Sequence, residues 1–150
     1  KGDLVVTDLT LRYKGYVSDS TRTFALGKIS TQANEAYDVV KESQKLGLKA
    51  VKQNVICKDV DLACRKYIDE KNFGKYFIHS TGHGIGLEVH ELPNISIKSN
   101  IQLKENMAIT VEPGIYIENK FGIRIEDSLI VKDRAIIMHK FTKDLLTIWA

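Results

Sequence analysis

Four acidic residues lie within or at the ends of apolar, strand-like runs, positions that charged side chains usually avoid. They are Asp8, Asp19, Glu112 and Glu126. Burying an unpaired carboxylate costs free energy, and carboxylates that come together raise one another's pKa. If these four side chains converge in the folded protein, positive charge must therefore compensate for them.

Arginines and metal ions are the two sources of positive charge to compare. Arg22 and Arg124 lie in the same segments, but two positive charges against four negative ones leave a net charge of −2. Two divalent cations would balance the carboxylates formally, and carboxylates commonly bridge ions about 3.5 Å apart. His83, in the glycine-rich stretch 82–86, would add an imidazole, which favours a borderline transition metal over magnesium or calcium alone.

Each of these residues, taken singly, also has a simpler interpretation. An aspartate at the end of a strand usually belongs to a turn or a sheet edge. A histidine in a glycine-rich loop is more often a hydrogen-bonded structural residue than a metal ligand. The interpretation as a metal site therefore depends on the whole set converging.

Hydrophobic periodicity predicts the elements that position these residues. Strands are expected at residues 4–10, 17–24, 108–112, 115–117, 123–131 and 135–139, and helices at residues 33–53 and 59–71. A turn at 13–16 would place Asp8 and Asp19 roughly opposite each other in a hairpin. Thr31 is the expected N-cap of the first helix, and residues 79–86 form a loop or an irregular strand. This order predicts an α+β fold, with helices on one face of a curved, mostly antiparallel sheet.

The composition is that of an ordinary globular protein. With 150 residues, 43% hydrophobic and 27% charged, the chain can form one domain with a real core and no disulfides. The net charge of +3 comes from scattered lysines, so no nucleic-acid partner is expected. No apolar run approaches the roughly 20 residues of a membrane helix, and no signal peptide opens the chain. A cytoplasmic protein without a membrane partner is expected, with Cys57 and Cys64 buried and reduced.

Five blocks of sequence resemble, in order, those of the pita-bread metallopeptidases, which include methionine aminopeptidase, aminopeptidase P and proline dipeptidase. The blocks are VVTDLT, GYVSDSTRTF, HSTGHGIGLEVHE, TVEPGIYI and GIRIEDS. They extend over essentially the whole chain, and the aspartates of the first two are eleven residues apart, as in the family. The segments SDSTRTF and GIRIED, together with histidines at 79, 83 and 90, are more similar to aminopeptidase P and proline dipeptidase than to methionine aminopeptidase.

The resemblance implies a site for two divalent metal ions. The ligands would be Asp8, Asp19, His83, Glu112 and Glu126. Asp19 and Glu126 would bridge both ions, Asp8 would complete one of them, and His83 with Glu112 would complete the other. Manganese, cobalt, iron and zinc all suit a carboxylate-rich site with one histidine.

The resemblance also implies a reaction, the hydrolysis of Xaa-Pro peptide bonds by a hydroxide that bridges the metals. Glu112 would carry the proton to the leaving nitrogen. His90 would lie by the scissile bond and stabilise the developing charge, and His79 would line the substrate pocket. Tyr116 and Arg124 would orient ligands and substrate. The partner would be a peptide with proline at its second position, cleaved by an aminopeptidase or by a dipeptidase.

Two alternatives stay open at this point. One is a methionine aminopeptidase, which uses the same fold and ligand order. The other is a metal-free pita-bread module that binds peptides or proteins. Such modules have substituted ligand positions, whereas all five candidate positions are intact in this chain.

The sequence departs from the family pattern in two respects. Thr10 stands where the family usually has glycine, and a β-branched residue would resist a positive φ. The family also has further elements before the block at Asp8, including an upstream histidine, and this sequence begins without Met. We therefore expect residues 1–150 to be the C-terminal portion of a pita-bread catalytic domain, incomplete on its N-terminal side and weakly active or inactive alone. The exposed hairpin edge could support a homodimer.

Overall fold

A computed structural model describes residues 2–149; Lys1 and Ala150 lie outside the described residues. The strands are β1 (Leu4–Tyr13), β2 (Tyr16–Leu26), β3 (Gly82–Gly84), β4 (Glu91–Ile95), β5 (Ala108–Val111), β6 (Gly114–Ile117), β7 (Phe121–Arg124), β8 (Asp127–Ile130), β9 (Ile136–Ile137) and β10 (Thr147–Ile148). The helices are α1 (Thr31–Ala50), α2 (Cys57–Glu70) and a short 3₁₀ helix, Gly74–Tyr76. Within residues 2–149, no helix is long and apolar enough to span a bilayer.

The strands form three sheets. β1, β2 and β10 make one of them, and β6 and β7 make a two-stranded ribbon. The largest has the order β4-β3-β5-β8-β9 and is antiparallel throughout. The two long helices pack on the strands, and the prediction of an α+β fold with a mostly antiparallel sheet is confirmed.

The hydrophobic core lies between the two helices and the strands. Cys64 and Ile68 of α2 pack there with Val40 of α1 and with Ile109 and Leu129 of the large sheet. The helices approach closely at Gly47, where an added Cβ would collide with the sulfur of Cys64. Both cysteines are free and buried, as the sequence predicts.

The hairpin of β1 and β2 is longer than predicted, because its turn consists of two residues only. Lys14 and Gly15 have φ values of 49° and 89°, the positive values that a type I′ turn requires. In the resulting register Asp8 pairs with Thr21, and Asp19 pairs with Thr10. The two aspartates, expected roughly opposite each other, are therefore offset by two residues and lie as diagonal neighbours on the same face.

The N-cap of the first helix is one residue earlier in the sequence than predicted. Ser30, with φ −68° and ψ 154°, is the N-cap, and its hydroxyl accepts a hydrogen bond from the backbone N–H of Ala33. Thr31 is already the first helical residue, so its prediction as the cap is wrong. The helix ends at Ala50 rather than at residue 53.

The predicted strand at 123–131 is in fact two strands in different sheets. β7 ends at Arg124 and pairs with β6, whereas β8 begins at Asp127 and pairs with β5. Between them the backbone N–H of Glu126 donates to the carbonyl of Thr21 on β2. The β-forming residues on both sides of this break led to the prediction of a single strand, because composition does not show a change of partner strand. Glu112 occupies the matching break between β5 and β6, so the two glutamates lie at the same junction.

The glycine-rich stretch forms an irregular strand, one of its two predicted alternatives. β3 is buried between β4 and β5. A Cβ at Gly82 would meet the carbonyl of Thr110, and one at Gly84 would meet the carbonyl of Leu92, so glycine permits this close pairing. Two other strands, β4 and β10, are not predicted, because β4 contains Pro93 and β10 has two residues.

Candidate metal centre

Three of the five predicted ligands converge in the folded protein. Ligand atoms of Asp19, His83 and Glu126 all lie within 4.8 Å of one another, and all three residues are buried. Asp19 comes from β2, His83 from β3, and Glu126 from the break between β7 and β8. These three side chains, which are far apart in the sequence, therefore come together at the point where the three sheets meet.

Glu112 is the fourth member of the cluster. Its Oε1 lies 3.2 Å from Nε2 of His83 and accepts a hydrogen bond of 3.0 Å from the hydroxyl of Thr110. Its position at the break opposite Glu126 explains this approach, because Val111 and Asp127, the residues beside the two glutamates, are paired across β5 and β8.

Asp8 lies at the rim of this cluster. Its side chain is 47% exposed, and Oδ2 accepts a hydrogen bond from Nη2 of Arg124. Arg124 also approaches Glu112, with Nε 3.9 Å from Oε2. The guanidinium thus supplies positive charge to two of the predicted ligands, whereas no cationic side chain within residues 2–149 forms an ion pair with Asp19 or Glu126.

The orientation of His83 suits a metal ligand. Its Nδ1 lies 2.9 Å from the carbonyl oxygen of Gly84, and since a carbonyl can only accept, Nδ1 carries a proton. The lone pair of a neutral ring is therefore on Nε2, which faces Glu112. Burial lowers the pKa of His83, but the hydrogen bonds to Glu112 and Gly84 and the nearby carboxylates outweigh it and raise the pKa above its ordinary value.

Glu126 is a buried acid without a cationic partner among the described residues. Burial, followed by the negative charge of Glu112, raises the pKa of Glu126 to about 8. The hydroxyl of Thr21 donates to Oε2 at 2.6 Å, but Oε1 is buried without a hydrogen-bond partner among the described residues. Buried oxygens nearly always have a hydrogen-bond partner in native proteins, so the lack of one here indicates a site for a ligand.

Asp19 is in a similar environment. Burial raises its pKa, and the charge of Asp8 raises it further, against the opposing effect of a hydrogen bond from Thr10. The cluster therefore offers three carboxylates and one imidazole nitrogen, and one of its carboxylate oxygens, Oε1 of Glu126, is buried without a hydrogen-bond partner among the described residues. This donor set fits divalent transition-metal ions. The residues present therefore fit the metal ions that the sequence analysis predicts.

Three residues predicted to contact or orient the substrate, His79, His90 and Arg124, lie beside the cluster. The ring centroid of His90 is 4.3 Å from that of His83. His90 and His79 line one cavity of about 230 Å³, together with Glu112 and Arg124. The structure thus brings the candidate catalytic residues to a single opening next to the candidate ligands.

A chain of hydrogen bonds connects His79 to Asp8. Nδ1 of His79 donates to the carbonyl of Ser80 at 2.8 Å, so Nε2, 3.0 Å from Oη of Tyr116, accepts the tyrosine proton. Arg124 donates from Nη1 to the same Oη at 3.1 Å and from Nη2 to Asp8. Burial lowers the pKa of His79, which keeps this ring neutral. Tyr116 and Arg124 therefore orient a substrate-pocket residue and a candidate ligand.

Sequence reasoning missed the groups that hold the loop of His79 in place. Arg65 on α2 donates to the carbonyls of Phe77 and His79, at 3.0 and 2.9 Å. Asp61, one turn earlier, pairs with Arg65 and accepts from both the N–H and the hydroxyl of Thr81. The i, i+4 spacing of this pair is visible in the sequence, but it is typical of any helix surface and does not reveal the loop.

Thr10 shows how the chain departs from the family pattern without disturbing the strand. Thr10 does not have a positive φ and is an ordinary residue of β1. Its hydroxyl donates to Oδ1 of Asp19 at 3.0 Å. The steric objection to threonine at this position therefore does not apply.

Comparisons with known proteins agree with this geometry. The Xaa-Pro dipeptidase of Pyrococcus furiosus is 46% identical over 147 residues, which is 97% of this chain and 42% of that protein. A solved Xaa-Pro dipeptidase from Bacillus anthracis superposes with a TM-score of 0.97 at 45% identity, covering 99% of this chain and 42% of the other. An X-Pro aminopeptidase from Thermotoga maritima does so with a TM-score of 0.95 at 41% identity and the same coverages.

These matches also define how much of a relative the chain represents. The chain spans about two fifths of the length of the relatives it matches. The model of metallopeptidase family M24 matches residues 1–133, which include all five candidate ligands. The resemblance to the pita-bread metallopeptidases is thereby confirmed, and the chain belongs to metallopeptidase family M24.

Proposed function

We propose that this chain is the C-terminal portion of a pita-bread catalytic domain that hydrolyses Xaa-Pro peptide bonds with two divalent metal ions. The observation that carries the proposal is the buried, unpartnered Oε1 of Glu126, within a cluster that includes Asp19 and His83. A buried carboxylate oxygen without a donor is costly, and a bound cation removes that cost. The names of the relatives support the substrate class, as one is an Xaa-Pro dipeptidase and another an X-Pro aminopeptidase.

The five candidate ligands would hold the two ions, which would be manganese, cobalt, iron or zinc. They are Asp8, Asp19, His83, Glu112 and Glu126. Divalent ions at such a site provide an activated water as nucleophile and polarise the scissile carbonyl. The remaining chemistry, which is proton transfer and placement of the substrate, belongs to side chains of this chain.

Glu112 is placed to move the proton. It lines the 230 Å³ cavity, and its Oε1 accepts a hydrogen bond from Thr110 and lies 3.2 Å from Nε2 of His83. An Xaa-Pro bond is a tertiary amide, so its nitrogen has no hydrogen and leaves only after it is protonated. We assign to Glu112 the transfer of a proton from the attacking water to that nitrogen. His90, at the same cavity, would stabilise the charge that develops on the carbonyl oxygen.

His79 would form a wall of the proline pocket. Both of its ring nitrogens are engaged, one by Ser80 and the other by Tyr116, so the ring presents carbon atoms to a bound substrate. Phe77, which is buried, packs edge-on against this ring with centroids 5.2 Å apart and supports it. An apolar wall without free donors suits a pyrrolidine ring.

The test of this proposal combines metal content with substrate choice in the intact protein. After dialysis against excess manganese, we expect about two ions per chain by elemental analysis, as in other two-metal hydrolases. Asp19→Ala should lose metal and activity, whereas Glu118→Gln, an exposed acid in a turn, should keep both. A wild-type protein that binds no metal would overturn the proposal and favour the metal-free binding module.

Three peptides distinguish the possible activities. We expect hydrolysis of Ala-Pro, of a longer Ala-Pro peptide, or of both, and their ratio separates a dipeptidase from an aminopeptidase. A peptide that begins with Met-Ala should be a poor substrate. Faster cleavage of the Met-Ala peptide than of either proline peptide would replace the proposal with a methionine aminopeptidase.

A further inference from the structure

Three threonine hydroxyls donate to three of the clustered carboxylates. Thr21 donates to Oε2 of Glu126 at 2.6 Å, and Thr110 donates to Oε1 of Glu112 at 3.0 Å. The third pair is formed by Thr10, which donates to Oδ1 of Asp19 at 3.0 Å. Each hydroxyl engages one carboxylate oxygen and leaves the other oxygen for a different partner.

Thr10 differs from the other two threonines in its surroundings. Thr21 and Thr110 are fully buried and have second partners: Thr21 accepts from Nε of Arg124, and Thr110 accepts from the N–H of His83. Thr10 is exposed, and the one side-chain hydrogen bond it makes within residues 2–149 is the bond to Asp19. Its hydroxyl therefore serves Asp19 alone, and its loss would leave the core intact.

The hairpin register explains why this contact forms. Thr10 and Asp19 are directly paired across β1 and β2, so their side chains leave the same face at short range. The contact holds the carboxylate of Asp19 in the orientation that brings it within 4.8 Å of the ligand atoms of His83 and Glu126. Without the hydroxyl, the carboxylate would lose one of the contacts that fix its orientation, and binding a metal ion would have to restrict it further.

We propose that Thr10 is a positioning residue for the metal centre, whose hydroxyl preorganises Asp19 for ion binding. This inference rests on the proposed metal-dependent function. Groups that hydrogen-bond to metal ligands typically contribute roughly 10- to 100-fold to metal affinity. Glycine, the residue that the family pattern usually has at this position, would offer no hydroxyl to Asp19.

The test measures manganese affinity by isothermal titration calorimetry of the intact, metal-free protein. Thr10→Val replaces the hydroxyl by a methyl group of similar size, and we expect its affinity for manganese to fall roughly 10-fold or more. Thr10→Ser restores a hydroxyl and should recover most of the affinity. Thr7→Val is the matched control, because Thr7 lies on the same strand and lines a cavity with Leu9, Leu11 and Phe24.

The melting temperature of the metal-free protein separates positioning from a structural role. We expect Thr10→Val to melt within a degree or two of wild type, since its strand position is exposed. Wild-type manganese affinity in Thr10→Val would overturn the inference, as would a serine variant that binds as weakly as the valine variant. A wild-type protein that binds no manganese would overturn it together with the proposed function, so the two failures are distinguishable.

Discussion

Glu126 and Asp127 are adjacent in the sequence and equally buried, yet they lie in opposite environments. Glu126 is directed into the candidate metal centre, where its pKa is raised to about 8 and one oxygen has no hydrogen-bond partner among the described residues. Asp127 is directed to the other side, where Arg22 and Lys143 contact its two oxygens at 2.8 and 2.5 Å. Burial opposes its ionisation, but these two cations outweigh it and lower the pKa of Asp127.

The difference separates a functional acid from a structural one. Asp127 already has its counter-charges, and it connects β2, α1 and the C-terminal segment through Arg22, Gln44 and Lys143. Glu126 has a threonine hydroxyl and other carboxylates around it, so the protein alone does not satisfy its charge. An acid that the fold leaves unsatisfied is the one that is available to a metal ion.

The largest expected effect comes from removing the charge of the unsatisfied acid. In Glu126→Gln we expect metal affinity to collapse and Xaa-Pro hydrolysis to fall roughly 10³-fold or more, because metal ions contribute several kcal/mol to such reactions. Elemental analysis and kcat/KM of the intact protein measure the two effects. The metal-free fold should survive, since the amide removes a buried group whose charged form is unfavourable. Retention of two ions and of full activity would show that Glu126 is not a ligand.

The corresponding change in the satisfied acid should affect stability instead. Asp127→Asn would leave Arg22 and Lys143 without their buried counter-charge, and breaking a buried ion pair in this way costs roughly 3–5 kcal/mol. Chemical denaturation of the metal-free protein measures this loss. Asp144→Asn is the control, because Asp144 pairs with Lys41 at the surface and should contribute little. If Asp127→Asn abolished metal binding in the folded protein without destabilising it, the distinction between the two acids would be wrong.

The two acids should also give the metal-free protein opposite pH dependences. The folded pKa of Glu126 is raised from 4.5 to about 8, so the folded state holds a proton that the unfolded state releases, and stability falls as pH rises through this window. The folded pKa of Asp127 is lowered from 3.8, so its contribution is present above 3.8 and is lost as pH falls through the folded value.

Denaturation curves in the presence of a chelator, from acid to pH 9, measure both effects. Glu126→Gln should flatten the decline between about pH 4.5 and 8, and Asp127→Asn should remove the loss of stability in acid. Added manganese should reverse the neutral decline, because metal binding displaces protons and strengthens as pH rises. A wild-type protein whose metal-free stability rises between pH 5 and 8 would contradict the assignment for Glu126.

The sequence allowed the ligand set to be predicted, since acids within apolar strands are unusual and the five family blocks place them. The resemblance names Glu126 and not Asp127 as a ligand, but the block GIRIEDS alone does not show that Asp127 is buried in an ion-pair network. The partners of Asp127 are Arg22 and Lys143, which are distant along the chain, and no local pattern connects them. The pairing of Asp19 with Thr10 follows from the hairpin register that the predicted turn at 13–16 implies, but the hydrogen bond between the two side chains was not predicted.

Breaks in a strand were equally hard to predict. Residues 123–131 were predicted as one strand, yet the chain leaves one sheet after Arg124 and joins another at Asp127. Hydrophobic alternation reports which face of a strand is buried, but it does not report which strand is the neighbour. The position of Glu126 at a junction was therefore visible only in the folded chain.

That junction gives the site a mechanical role. Asp19 belongs to the three-stranded sheet, His83 to the five-stranded sheet, and Glu126 to the passage between the five-stranded sheet and the ribbon. An ion held by all three would cross-link separately hydrogen-bonded layers that otherwise meet through side chains and a few backbone bonds. Loading the site would then strengthen the connection between the three sheets, and chelation would remove that connection while leaving the shared hydrophobic core in place.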